Sequence, residues 1–418
     1  MGSVISLAIG NFEIDWGKNS VYADHSELFQ KDDVVELERR VYDDYNDEGD
    51  EPELHVYECL RKPLRDVVSR IELLGISEGS ARAEFSELVE LNGYLEDEAA
   101  VPIRFEDFAA LLRAVDVSAV SDRYQKDFDL GEFFAEEIAP RIGLVGEPLV
   151  LLRYGEIFEN LGTHTILWLL AQNPINLDLP VVWNFGGHLV EEWSKREDHI
   201  RSVTRSDQFL IVTEGSSDAY VIERAFQVRR SEIADFFYFV DTESGFPFTG
   251  TGNLHKFCQG LARIGLLNQT VVVYDNDAVG KDQWRKTVAL ENFPPNIKVI
   301  HLPDLPGSHM FTTIGPGGEG LGTINGKAAA IEAFLDLSGY GAESRIRWTT
   351  YVPSLETYQG EFEGKQKIVR DFLQRNSYDA YEFSKLDLVL NAIVEACRNI
   401  AQLTRLNMTL RTKGVYSA

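Results

Sequence analysis

The strongest constraint on the fold is a change of hydrophobic pattern between residues 206 and 305. Short β-rich runs alternate there with amphipathic helical runs, in the order FLIVTEG, SDAYVIERAFQV, FFYFVDT, NLHKFCQGLARIGL, TVVVYDND, AVGKDQWRKTVAL and IKVIHLPD. Strands that alternate with helices in this way are typical of βαβ units, in which neighbouring strands run parallel. The sequence therefore predicts an α/β fold with a parallel sheet flanked by helices.

The regions on either side of this sheet have other patterns. In VISLAIGNFEIDWGK, two alternating runs flank Gly10-Asn11, which predicts a β-hairpin. Asp and Glu dominate residues 22–58 and predict an acidic surface loop flanked by helix. Helical spacing prevails from about 60 to 205, with LPVVWNFGG as an extra strand, and returns after the glycine-rich loop GPGGEGLGTING.

Length and pattern together predict four parts. A chain of 418 residues is too long for one ordinary core, so several domains are expected. The predicted parts are an N-terminal α+β domain (1–125), a helical linker domain (126–205), the parallel-sheet domain (206–340) and a C-terminal helical segment (341–418).

Charge and cysteine content exclude several classes of function. The net charge of -27 opposes binding of nucleic acid by bulk attraction, so any such contact must be local. The 3 cysteines are far apart and form no C-x-x-C pair, which supports neither a disulfide framework nor a zinc ribbon. Without a visible signal peptide or membrane span, the sequence predicts a cytoplasmic protein that does not contact membranes.

Acidic residues follow three of the predicted strands. They are Glu214 and Asp218 after the first, Asp241 after the second, and Asp275 and Asp277 after the third. Ligands of an open parallel sheet bind outside the carboxyl ends of its strands. Carboxylates gathered at that edge repel one another unless a cation or shared protons compensate, so a divalent metal site is expected. The oxygen-only ligand set favours Mg²⁺ or Mn²⁺.

Two short motifs carry most of these acids. In YDND, Asp275 and Asp277 alternate along an extended backbone and so point the same way, while Gly280 permits a tight entry into the next helix. Asp218 and Asp277 are also suited to cap the helices that follow them. The D-x-D-x-x-G pattern alone is common in turns, but its pairing with E-G-x-x-D at an earlier strand end is specific.

These two motifs resemble both signatures of the Toprim domain, with EGSSD at 214–218 and DNDAVG at 275–280, over about residues 206–335. Toprim domains of topoisomerases, primases, recombination proteins, RNA maturases and OLD-type nucleases act on nucleic-acid phosphodiesters with Mg²⁺. The opening MGSVISLAIGNFEIDWGKN and the block VTEGSSDAYVI further resemble the bacterial HEPN/Toprim-associated proteins, over nearly the whole chain. This resemblance implies a role in defence against phage or a toxin function.

The resemblance also implies roles for single residues. By it, Asp275 and Asp277 ligate Mg²⁺, while Glu214 is the general acid/base or an additional ligand. Asp218 would contribute to the metal site, with Asp241 as a secondary candidate.

Cations and glycines complete the candidate set. Lys281 and Lys327 are candidates for binding the scissile phosphate. Lys327 follows glycine-rich turns and is expected at a helix start near the sheet edge, where backbone amides also attract anions. OLD-type Toprim nucleases resemble this chain in having a Lys beyond the D-x-D strand. Further candidates are Gly215, Gly280 and Glu332.

The expected function is that of a metal-dependent endonuclease. The cysteine pattern excludes the zinc ribbon of a primase, and the flanks show no module with the Tyr nucleophile of a topoisomerase. The expected substrate is nucleic acid, with RNA such as tRNA slightly favoured over DNA. The protein could also bind a partner protein of a defence system or form a homo-oligomer, and the sequence leaves both possibilities open. The alternative is a non-catalytic Toprim-fold sensor or regulatory subunit that binds nucleic acid or a protein.

The HEPN part of the resemblance supplies no active site. HEPN ribonucleases use an Arg followed four to six residues later by His, and none of the 8 histidines has such an Arg. His164, His188 and His199 are therefore expected to be structural or surface residues.

Overall fold

The computed structural model describes residues 4–18, 21–41, 53–95, 103–120, 136, 140, 148–185, 203, 208–240, 251–264, 268–291, 293–307 and 310–416. The chain divides into two compact units, Met1–Val203 with Arg405–Ala418, and Thr204–Thr404. The finer division at residues 125, 205 and 340 stays a prediction.

The first unit contains a five-stranded antiparallel sheet in the order β2-β1-β5-β4-β3. Its strands are β1 (Val4–Ile9), β2 (Phe12–Lys18), β3 (Val34–Val41), β4 (Glu53–Pro63) and β5 (Pro180–Asn184). β1 and β2 form the predicted hairpin, and Gly10 in its turn has a φ of 56°, which favours glycine. β5 is the strand predicted from LPVVWNFGG.

Helices complete the first unit. They are α1 (Leu64–Leu73), α2 (Glu78–Leu95), α3 (Phe105–Arg113), α4 (Pro148–Asn160) and α5 (Thr163–Leu170), with 3-10 turns at Ser26–Leu28, Lys31–Asp33, Val117–Ala119 and Pro174–Asn176. The predicted loop over 22–58 is wrong where β3 and β4 pair, since both strands alternate apolar with charged residues. Residues 42–52 lie outside the described residues.

An aromatic cluster and one buried arginine hold the first unit together. Trp183 on β5 packs against Phe185 at 4.5 Å and Phe29 at 6.2 Å between ring centroids. Arg70 on α1 is 0 % exposed and donates from Nε to the Glu27 carbonyl at 2.8 Å and from Nη2 to the Phe29 carbonyl at 3.1 Å. The guanidinium thus satisfies backbone acceptors that would otherwise be buried without a donor.

The second unit contains the predicted parallel sheet, in the order β10-β8-β6-β7. Its strands are β6 (Phe209–Thr213), β7 (Phe237–Phe239), β8 (Thr270–Tyr274) and β10 (Ile297–His301). The helices of this unit are α6 (Ser216–Arg229), α7 (Thr251–Ile264), α8 (Ala278–Val288), α9 (Lys365–Leu373) and the part of α10 (Ser384–Tyr416) that ends at Thr404. The predicted α/β class, with a parallel sheet flanked by helices and a C-terminal helix, is confirmed.

Two smaller sheets follow in the second unit. The first, in the order β12-β11-β14-β15, comprises β11 (Phe311–Gly315), β12 (Gly318–Gly322), β14 (Ile346–Val352) and β15 (Thr357–Phe362). The second pairs β9 (Asn276–Asp277) with β13 (Ala328–Ala329). Turns of 3-10 helix lie at Ser231–Phe236, Ile331–Phe334, Gly341–Ser344 and Pro353–Leu355.

These strands correct the expected helical character of the segment after 340. β14 and β15 pair as a hairpin with the aromatic and β-branched residues that strands favour, and helix resumes only at Lys365. Lys327 likewise precedes a strand rather than a helix start, because its neighbours Ala328 and Ala329 pair with β9. In the part of the chain that the structure describes, no helix has both the length and the apolar character needed to cross a membrane.

We expect Arg70→Leu to lower the free energy of unfolding of the first unit by about 2–4 kcal/mol, because buried carbonyls lose their donors. Arg65→Leu, on the same helix, removes an exposed ion pair with Asp178 and should cost less than about 1 kcal/mol. Urea unfolding followed by circular dichroism compares the two variants, and equal losses would contradict the structural role given to Arg70.

Candidate active site

The ends of β6 and β8 bring two of the predicted acids together. In the parallel pairing Thr213 lies opposite Val273, so Glu214 and Asp275 follow adjacent strands at the same edge. The backbone N–H of Asp275 donates to Glu214 Oε1 at 3.0 Å. Glu214 is thereby held beside the D-x-D segment.

Asp218 is positioned by the first turn of α6. The backbone N–H of Gly215 donates to Asp218 Oδ2 at 3.1 Å, and the Thr213 hydroxyl donates to the Gly215 carbonyl at 2.7 Å. The E-G-x-x-D motif therefore forms a closed turn between the strand and the helix, in which the Asp218 carboxylate folds back onto the Gly215 N–H.

Asp277 caps α8, as its sequence position predicts. Its Oδ1 accepts from the Gly280 N–H at 2.7 Å, and its Oδ2 accepts from the side-chain amide of Gln359 on β15. The same Gln359 side chain accepts from the Val279 N–H at 3.1 Å. Gln359 thus fixes the Asp277 carboxylate, and it lies too far along the chain for the motif analysis to have found it.

Glu332 reaches the site through the pairing of β13 with β9. Ala328 lies opposite Asp277 in this antiparallel pair, and the chain then turns into the 3-10 helix that carries Glu332. Glu332 is buried, with 6 % of its surface exposed. A residue 55 positions beyond Asp277 in sequence is therefore brought back to the strand ends.

One cavity of about 210 Å³ gathers these side chains. The residues that line it are Glu214, Gly215, Ser217, Asp218, Asp275, Asp277, Ala328, Ala330, Glu332, Gln359, Gly360, Glu361, Phe362 and Lys365. The carboxylates of both motifs thus line one cavity together with Glu332, which was only a weaker candidate by sequence.

Burial and mutual repulsion raise the pKa values of four of these acids. Burial raises the pKa of Asp275 well above its ordinary value, with the charges of Asp218, Glu214, Asp277 and Glu332 adding to the effect. Burial, and then the Glu332 charge, raises the pKa of Asp218 to about 7. Burial also raises the pKa values of Asp277 and Glu332. The cavity therefore favours bound protons or a bound cation over free negative charge.

The donor set fits a hard divalent ion, since it offers carboxylate oxygens and includes neither His nor Cys. Hydrogen bonds among the described residues leave both side-chain oxygens of Asp275 open. Within those same residues, no three His, Cys, Asp or Glu side chains already stand together as a metal-binding group. Binding an ion would therefore require some carboxylates to turn toward one another in the cavity.

The lysine that lines the cavity is Lys365, at the start of α9. Its charge lowers the pKa values of Asp218 and Glu332, against the dominant effect of burial. The predicted Lys327 is exposed, and its backbone forms a β-bridge with Asp277. The Nζ of Lys281 lies 3.9 Å from Asp304 Oδ1. Neither of these two lysines is among the lining residues. Lys365 carries no motif signal, because only the folding of β14 and β15 brings it there.

Other predicted residues lie elsewhere. Asp241, His188 and His199 are outside the described residues. His164 belongs to the first unit, where its Nε2 lies 3.3 Å from Glu27, and burial lowers its pKa to about 3. The His164 side chain is half-buried and does not line the acidic cavity, and its structural role stays a prediction.

Gly280 sits where a side chain has no room. A Cβ at this position would overlap the Asp275 carbonyl and lie 2.9 Å from Glu214 Oε1. The glycine of the D-x-D-x-x-G motif is therefore required by close approach to the two strand ends, in agreement with the tight helix entry expected from sequence. At Gly215, by contrast, a Cβ would come no nearer than 3.4 Å to Asp218 Oδ2.

Comparison with known families bears on the first half of the chain. Residues 1–207 match the model of the family HEPN/Toprim N-terminal domain 1. The match supports the resemblance to the HEPN/Toprim-associated family that the sequence predicted. It covers just under half of the chain and ends before Glu214, so the acidic cavity lies outside it. A HEPN/Toprim N-terminal domain is consistent with a nuclease-like or nucleotide-related role. No curated protein and no solved structure matches the chain, and similarity to OLD-type nucleases stays a prediction.

We expect Gly280→Ala to destabilise the protein by about 2 kcal/mol or more, although alanine is the better helix former by about 1 kcal/mol. The cause is the overlap with Asp275 and Glu214. The matched control is Gly260→Ala in α7, where no atom lies within 4 Å of the added Cβ and a gain of about 0.5–1 kcal/mol is expected. Thermal unfolding of both variants measures the difference, and a stabilised Gly280→Ala would refute the close approach.

We expect stability measured in EDTA to fall as pH rises from about 5 to about 8. Raised pKa values mean that the folded protein holds protons that the unfolded chain releases above about pH 4. The stabilisation is therefore present at low pH and is lost as pH rises through the folded pKa, about 7 for Asp218.

Asp218→Asn cannot ionise and should make this fall shallower, whereas Glu291→Gln at an exposed position should leave its slope unchanged. Melting temperatures across the pH range test both variants. A slope that is the same in Asp218→Asn and the parent protein would show that Asp218 does not titrate in the cavity.

Proposed function

We propose that this protein is a metal-dependent Toprim nuclease that hydrolyses phosphodiester bonds of nucleic acid. The observation that supports it most directly is the shared cavity of Glu214, Asp218, Asp275, Asp277 and Glu332 at the carboxyl ends of β6 and β8. A module that only binds has no need to gather carboxylates against their own repulsion. A hydrolase that uses a metal cation does need carboxylates gathered in this way, because they hold the ion.

We propose Mg²⁺ or Mn²⁺ as the cofactor, held by Asp275 and Asp277 with Glu214 or Asp218 completing the set. When bound, the ion would neutralise charge on the scissile phosphate and lower the pKa of a water molecule. Gln359 would keep the Asp277 carboxylate in position, since it already holds Oδ2 through its side-chain amide.

The reaction needs two proton movements that residues of the chain can assist. A water oxygen attacks phosphorus, the bond from phosphorus to one bridging oxygen breaks, the water loses a proton and the leaving oxygen gains one. Glu214 is the proposed general acid/base, because its bond to the Asp275 amide holds it at the centre of the strand ends. Lys365 replaces Lys327 as the proposed cation that draws the phosphate into the cavity, since it lines the cavity wall.

The proposed substrate is RNA such as tRNA in preference to DNA, because a toxin gains most from an abundant target. The proposed setting is the cytoplasm, in bacterial defence against phage, with a protein partner of the same system. The net charge of -27 confines contact with nucleic acid to local groups, and Lys365 is such a group beside the cavity.

A second candidate is a non-catalytic sensor or regulatory subunit that binds nucleic acid or a protein. One observation favours it. Both side-chain oxygens of Asp277 already accept hydrogen bonds, from Gly280 and from Gln359, and so are partly occupied within the protein. Such a protein would keep the carboxylates for structure or for metal-linked stability rather than for chemistry.

We expect Asp275→Asn and Glu214→Gln each to reduce cleavage of tRNA or plasmid DNA in Mg²⁺ or Mn²⁺ by about 100-fold or more, with EDTA abolishing cleavage by the parent protein. Asp282→Asn is the matched control, because Asp282 lies nearby on α8 but bonds Lys286 and Ser354 instead of lining the cavity. It should cut as the parent does.

Cleavage is read from gels of end-labelled substrate, and folding of each variant from its melting temperature. Equal cleavage by Asp275→Asn and the parent would disprove the assignment of the site. A parent protein that gains thermal stability from Mg²⁺ yet cuts neither substrate would favour the non-catalytic candidate.

A further inference from the structure

A second cavity adjoins the acidic one. It has a volume of about 320 Å³ and lies between α6 and α9. The residues that line it are Ser217, Tyr220, Glu332, Lys365, Gln366, Val369, Arg370, Leu373 and Gln374. Ser217, Glu332 and Lys365 line both cavities, so the two spaces meet at these side chains. A polymer held at the acidic cavity could continue directly into the second one.

Two adjacent stripes of side chains on α9 line this second cavity. Lys365, Val369 and Leu373 recur every four residues and share one stripe of the helix. Gln366 and Arg370, also four residues apart, form the adjacent stripe. Apolar surface for a flat ring therefore lies next to amide and guanidinium donors.

The opposite wall carries an aromatic ring. Tyr220 on α6 is 39 % exposed and lines the cavity three residues after Ser217, which places the two side chains on the same helix face. An aromatic side chain that stays accessible beside apolar carbons is suited to stack on a nucleobase. Lys365 and Arg370 supply positive charge at opposite ends of the same helix stretch, on a protein whose net charge is -27.

We infer that this second cavity is a nucleotide-binding subsite, which holds the nucleotide next to the scissile phosphate with its base against Tyr220 and its own phosphate near Arg370. The inference rests on the proposed nuclease function and adds a residue set that would select and position the substrate. The volume falls within the roughly 300–1,000 Å³ of small-molecule sites, enough for one base and its sugar. Arg370 contacts Asp371 at 3.6 Å, an exposed ion pair that a phosphate can readily replace.

The test measures binding without cleavage. Fluorescence anisotropy of labelled oligo(U) RNA and oligo(dT) DNA, in Ca²⁺ in place of Mg²⁺, should show about tenfold weaker binding for Tyr220→Ala, and Tyr220→Phe should bind as the parent does, because stacking needs the ring and not the hydroxyl. Tyr238→Ala on β7 removes another half-exposed tyrosine that does not line the cavity, and it should bind normally.

Salt dependence separates the two proposed contacts. Arg370→Gln should weaken binding and make the fall of log affinity with log salt concentration less steep, by about 1 in the slope. Tyr220→Ala should weaken binding and leave that slope unchanged. Substitutions of Ser217 or Lys365 would affect both cavities, because these residues line both of them.

Outcomes for the subsite and for the nuclease differ. If Tyr220→Ala and Arg370→Gln bind both oligonucleotides as tightly as the parent, the subsite is refuted, and metal-dependent cleavage that Asp275→Asn abolishes would leave the nuclease standing. If the parent binds neither oligonucleotide and cuts no nucleic acid, both proposals fall. Weaker binding only in Tyr220→Ala and Arg370→Gln, with normal binding by Asp275→Asn, supports the subsite independently of catalysis.

Discussion

The hydrogen bond from the Asp275 amide to Glu214 joins the ends of two neighbouring parallel strands, and the arrangement of the candidate site depends on it. It sets the distance between the E-G-x-x-D turn and the D-x-D segment, which are 61 residues apart in sequence. Gly280 makes this junction possible, because any side chain there would occupy the space of the Asp275 carbonyl. Parallel pairing of β6 with β8 then places both acidic turns at one edge.

This junction brings several carboxylates close together, which is electrostatically unfavourable. Carboxylates that share one cavity repel one another, and burial together with this repulsion raises the pKa values of Asp218 and Asp275, which favours bound protons. A cation would serve the same purpose and would compete with those protons. Stability, proton binding and metal binding at this edge of the sheet are therefore expected to be coupled.

The rest of the second unit contributes the groups that surround the acids. β15 supplies Gln359, which holds Asp277, and α9 supplies Lys365, the cation on the cavity wall. The short pairing of β13 with β9 adds Glu332. Accessory strands and a helix beyond the parallel sheet thus complete the site and open it toward Tyr220, while the family match over residues 1–207 concerns the first unit.

The sequence by itself determined the parallel sheet, the N-terminal hairpin and the two acidic motifs, because these depend on local periodicity and on turns of a few residues. It also indicated Gly280 and the capping role of Asp277, since both are decided within one strand-to-helix turn. It missed the β14–β15 hairpin, because short exposed strands have weak periodicity. It named Lys281 and Lys327 but not Lys365, because a lysine carries no signal of where it will lie. Only the tertiary structure decided which distant side chains share the cavity, since that depends on the pairing of strands far apart in the chain.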